Sequence, residues 1–150
     1  MQGTRTLILL IGIFLPYCAR LVAALFMGPS WFADYLDAGL LGFVVIGAFN
    51  TINWGAVILT TLSFRHPRSS WFPAVFGFAL PLVGHASLDL GADAQAAVAL
   101  AVLPFASLPL VFIGWLVGLW YDRRTTVIES QANQSSQATA ATRLASERSQ

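Results

Sequence analysis

Lysine is absent from this chain, cysteine occurs once, and charge of either sign is scarce: 10% of its 150 residues are charged, against 57% hydrophobic. Each shortage removes a class of protein. A soluble domain carries roughly 25% charged residues, so a chain this poor in charge, with a mean hydropathy of +0.70, belongs with integral membrane proteins. Cys18 alone allows neither an intramolecular disulfide nor a thiolate metal cluster. A net charge of +1 is an uninformative average, because the sidedness of the charges carries the information and their sum does not, and no nucleic-acid partner is implied. That every basic residue is arginine reads as codon usage before it reads as headgroup recognition.

What is present is four apolar runs, at 7–27, 39–64, 71–88 and 94–121. A hydrocarbon core of about 30 Å takes about 20 residues rising ~1.5 Å each, so every run is a candidate span. The flanking charges sort by sign. Arg5, then Arg65 and Arg68, then Arg123 and Arg124 alternate with Asp34 and Asp37, and with Asp89 and Asp93. Short loops rich in arginine stay cytoplasmic during insertion. The expected fold is therefore an all-α integral membrane protein, a four-helix transmembrane bundle running up-down-up-down, with both termini cytoplasmic and a bacterial inner membrane as the setting.

The expected transmembrane domain is 1–124, with helices at about 6–27, 39–64, 71–88 and 94–122. Arg5 and the apolar stretch before Cys18 imitate a signal peptide. Bulky Tyr17 precedes the cysteine, however, and the run resumes at Leu21, so an uncleaved span is expected. Gly28-Pro29-Ser30 breaks the first helix, and residues 31–37 mix aromatics with acids as an interfacial segment does. Residues 125–150 are mostly Ser, Gln, Ala and Thr, with too little apolar surface to fold alone, which predicts a disordered cytoplasmic tail.

Polar groups within apolar runs are the usual pointers to function in a membrane protein. Pro16, Pro81 and Pro104 fall near the middle of their runs, as do Asn50 and Asn53. A proline inside a helix lacks the N–H that would bond the carbonyl four residues earlier. The carbonyls so released are those of Gly12, Gly77 and Leu100, with Phe105 released by Pro109. Asn50 and Asn53 are suited to donate to them as interhelical glue. In the competing reading, the asparagines and the broken 104–109 segment line a permeation or substrate site.

Arg20 alone among the flanking arginines breaks the sidedness of charge. It lies on the aspartate side, ~10 Å below the membrane boundary, and needs a partner there. His85 and Asp89 reach a similar depth. If the helix persists, His85, Asp89 and Asp93 share one face at i, i+4 and i+8. The favoured reading is an ion pair of Arg20 with Asp89 or Asp34, with His85 as a packing residue. A proton relay through His85 and Asp89 stands second. A divalent cation on His85, Asp89 and Asp93 stands last, because one histidine and two carboxylates beside a guanidinium make a poor cation site.

No serine or threonine in the runs has a base at a recognisable spacing, so no catalytic residue is assigned and no cofactor is expected. His66, between arginines, reads as a solvated loop residue. Gly114 and Gly118 form a small-xxx-small pair that suits intramolecular packing and homodimerisation equally. The function expected is that of a non-enzymatic accessory or interaction subunit, whose partners are the bilayer and a second membrane protein or another copy of itself. The alternative is a small ion- or proton-coupled carrier or channel using Arg20, Asn50, His85 and Asp89.

Overall fold

In a computed structural model the chain is all-helical, with no strand among the residues described, which are 2–37, 39–90 and 95–148. Side chains are described throughout these except at 34–37, 41, 43 and 138–148. Helix α1 is Gln2–Met27, α2 is Ser30–Asp37, α3 is Gly39–Thr61, α4 is Trp71–Ser87 and α5 is Ala96–Arg148; a 3₁₀ turn, Pro67–Ser70, precedes α4. Among the described residues, three stretches are long and apolar enough to cross a membrane: Gln2–Met27, Val44–Thr61 and Ala96–Gln137. At 17 residues, α4 is shorter.

The helix boundaries follow local chemistry. Gly28 ends α1 at φ +106°, a left-handed conformation that costs glycine nothing, while its N–H still reaches the carbonyl of Ala24 at 3.0 Å. Gly39, at φ +67°, opens α3 in the same way. Pro16, Pro81, Pro104 and Pro109 all remain inside helices.

Two observations bear on the expectations. Over residues 125–148, α5 continues unbroken to Arg148. Nothing after Gly118 is glycine or proline, and Ala, Gln, Glu and Arg favour helix without needing burial. The second concerns the shared face of His85, Asp89 and Asp93. Helix α4 stops at Ser87, and Leu88 is extended at φ −80°, ψ 120°, so Asp89 does not stand one helical turn above His85. Gly91 and Asp93 lie outside the described residues.

The packing is inverted relative to a soluble protein. Leu25, Phe26, Leu40, Leu59 and Val98 face outward, while Arg20, Asn50, Asn53, Thr61, Ser69, His85, Ser107 and Asp122 are buried. Small residues let the helices close on this polar interior. A Cβ at Gly114 would lie 2.7 Å from the Phe72 carbonyl oxygen, and one at Gly118 would lie 2.9 Å from that of Ser69. The pair is therefore occupied within the bundle, seating α5 against the start of α4.

Candidate functional site

The buried polar groups form three clusters along the bundle. At the end carrying α2, Arg20 of α1 is fully buried and its Nη1 donates to the carbonyls of His85, at 3.3 Å, and Leu88. Its guanidinium lies 4.9 Å from the centre of the Trp31 ring, and Trp31 Nε1 donates to the Ala86 carbonyl at 3.3 Å. The last carbonyls of a helix lack intrahelical donors and carry partial negative charge. Arg20 and Trp31 together cap the C-terminal end of α4.

Of the residues expected to meet here, Arg20 and His85 do so through the His85 backbone. Asp89 follows Leu88 in the chain and is half-buried. The Asp34 side chain and Asp93 lie outside the described residues. His85 itself is buried and forms part of the wall of a cavity of about 180 Å³ between α3 and α5, beside Ile46, Phe49, Leu100 and Pro104.

The middle cluster joins four helices. Asn50 Nδ2 of α3 donates to the Gly12 carbonyl of α1 at 2.7 Å, and Asn53 Nδ2 donates to the Gly77 carbonyl of α4 at 3.1 Å. Ser107 Oγ of α5 donates to Asn53 Oδ1 at 2.8 Å. Both accepting carbonyls are ones released by Pro16 and Pro81. The asparagines thus replace the two backbone donors that the prolines lack. Neither asparagine borders the cavity near His85.

The third cluster, at the end carrying the α3–α4 turn, centres on Asp122, a residue the sequence reading passed over. Its carboxylate accepts from the backbone N–H of Arg65 at 3.1 Å, the backbone N–H of His66 at 2.8 Å and Ser69 Oγ at 2.8 Å. Asp122 breaks the sidedness rule as Arg20 does, being an acid among arginines; that signal was available. His66 is not a fully solvated loop residue: it is half-buried, with Nε2 3.2 Å from Thr126 Oγ1 and Nδ1 3.9 Å from Glu129. Nearby, Arg5 Nη2 donates to the Thr61 carbonyl at 3.0 Å and Trp115 Nε1 to Ser63 Oγ at 2.8 Å.

Chemically, the three clusters hold helices and a turn in place. Each joins side chains to backbone groups that lack regular partners. Compared with family models, curated proteins and solved structures, the chain matches none.

Proposed function

We propose that the chain is a four-helix integral membrane protein of a bacterial inner membrane, running up-down-up-down with both termini cytoplasmic, and that it serves as a non-enzymatic accessory or interaction subunit. One observation carries the functional part. The hydrogen bonds described for Arg20, Asn50, Asn53 and Asp122 end inside the bundle, mostly on its backbone. The broad apolar exterior is left to meet lipid or a partner. Alternation of direction is supported by Arg5 meeting the end of α3, Arg20 the end of α4, and Asp122 the start of the α3–α4 turn.

Orientation is tested by cysteine accessibility in a Cys18→Ala background. Ser30→Cys is expected to react with an impermeant maleimide from outside, and Ser135→Cys only in inverted vesicles. The opposite labelling refutes the orientation. For the function, crosslinking in native membranes is expected to trap a discrete membrane partner or a second copy. An inert monomer with no crosslinked species counts against it.

A second reading, a proton-coupled carrier, draws support from the cavity at His85 alone. It requires pH-dependent flux in proteoliposomes that His85→Ala and Asp89→Asn alter. Absence of flux, or flux that neither variant changes, removes it.

A further inference from the structure

Two pairs of arginines that lie far apart in sequence, Arg65 with Arg68 and Arg123 with Arg124, are brought to the same end of the bundle, the one carrying the α3–α4 turn, by Asp122. Arg65 donates its own backbone N–H to Asp122, and Arg68 adjoins Ser69, whose hydroxyl bonds the same carboxylate. Arg123 and Arg124 follow Asp122 directly in α5. All four are exposed. Arg124 stacks 4.0 Å from the centre of the Trp120 ring, and Trp120 and Trp71 are themselves partly exposed at this level. Two acids are present among the side chains described here. Asp122 is turned into the backbone N–H groups, and Glu129 lies beside His66. The balance is positive, and it sits where the apolar helix sides end. Tryptophan beside arginine at such a boundary is the chemistry of the headgroup layer.

We propose that Arg65, Arg68, Arg123 and Arg124 form a binding site for the phosphate of an anionic lipid headgroup, and that Asp122 is the positioning residue that assembles it. Guanidinium groups suit this role because their paired donors match phosphate oxygens in two-point contacts. A free phosphate offers the same chemistry. The lipid is favoured because its phosphodiester is already concentrated at the level of the site. The inference rests on the reading that the bundle spans a membrane. It is independent of whether the protein acts as a subunit or as a carrier.

Asp122 makes the proposal sharply testable. Asp122→Asn raises the local positive charge, so diffuse attraction predicts tighter anion binding. A site built by the carboxylate predicts weaker binding, because one amide oxygen cannot replace two carboxylate oxygens facing three donors. The full-length chain in neutral detergent is titrated with phosphatidylglycerol or phosphatidylcholine and read by native mass spectrometry, with inorganic phosphate as competitor. Phosphatidylglycerol is expected to be retained preferentially, and R65Q/R68Q and R123Q/R124Q are each expected to weaken it by roughly fivefold. Asp122→Asn is expected to weaken it as well. Ser69→Ala, which leaves charge unchanged, is expected to act in the same direction and stands in if Asp122→Asn loses helical content. Binding that is unchanged in the arginine pairs, or as tight or tighter in Asp122→Asn and Ser69→Ala, overturns the proposal. Complete displacement by millimolar inorganic phosphate makes the soluble anion the ligand and overturns the lipid assignment. Survival of lipid binding in a protein whose cysteine labelling contradicts the spanning orientation separates the two readings.

Discussion

Asn53 makes two interhelical hydrogen bonds, one to the backbone of α4 and one from Ser107 of α5, whereas Asn50 makes one, to α1. Such bonds contribute about 0.6–1.7 kcal/mol each within a membrane bundle. Asn53→Leu is therefore expected to destabilise the protein by about 2 kcal/mol and Asn50→Leu by about 1 kcal/mol, as measured by unfolding equilibria in detergent. Equal losses, or none, would show that the detergent-solvated unfolded state supplies equivalent partners. The carbonyl accepting from Asn53 belongs to Gly77, which has its own steric reason to be glycine. A Cβ there would lie 2.5 Å from Val111 Cγ2 and 2.9 Å from Val57 Cγ2, while a Cβ at Gly55 meets nothing within 4 Å. Gly77→Ala is expected to cost about 1–3 kcal/mol through overpacking. Gly55→Ala is expected to be neutral or slightly stabilising in the same assay, since alanine is the better helix former.

Among the elements, α4 has charge complementary to the helix dipole at both ends. A guanidinium meets its terminal carbonyls, and a carboxylate holds the turn that leads into it. The helix is the shortest of the four principal ones, so its ends weigh heavily in its stability. Arg20→Met keeps length and apolar bulk but leaves the His85 and Leu88 carbonyls without that donor. A loss of about 2 kcal/mol is expected, with Arg20→Lys intermediate because an ammonium does not reproduce a planar group stacked on Trp31. Tryptophan fluorescence and thermal unfolding of the two variants together report the change. The opposite extreme is α5 beyond Asp122, where residues 129–137 are exposed along their whole length. Helix held by propensity alone opens readily. Hydrogen exchange is expected to be fast over 129–137 and slow over the Ser107–Gly118 stretch of the same helix; uniform protection would mean that a partner covers the tail.

For the molecule as a whole, the apolar runs made the helical class legible, and the prolines made the middle cluster legible. The proline argument is local: the carbonyl four residues earlier is released whatever the tertiary structure. Only the choice of donor needed space, and two asparagines on one face left few options. Asp122 was hidden for the converse reason. Its partners are two backbone N–H groups of a turn and the Ser69 hydroxyl, and nothing in the identities of Arg65 or His66 states that their amides will point at a carboxylate on α5. Arg20 was identified as an exception to the charge pattern, yet the hydrogen bonds described for it go to carbonyls, which a charge-based reading cannot see. The tail has no face to bury, which predicts disorder, yet absence of burial does not exclude helix in a segment free of glycine and proline.

The middle cluster also has an order in time. A chain emerging from its N-terminus delivers α1 before α3, so Asn50 has the Gly12 carbonyl at hand as soon as α3 enters the membrane. Gly77 and Ser107 do not yet exist at that moment. Asn53 gains its two partners only when α4 and α5 follow. The pairing of α1 with α3 is thus complete through one asparagine, while the other needs α4 and α5. A chain halted after Thr61 is therefore expected to leave uncovered the Asn53 amide that the full chain buries against α4 and α5.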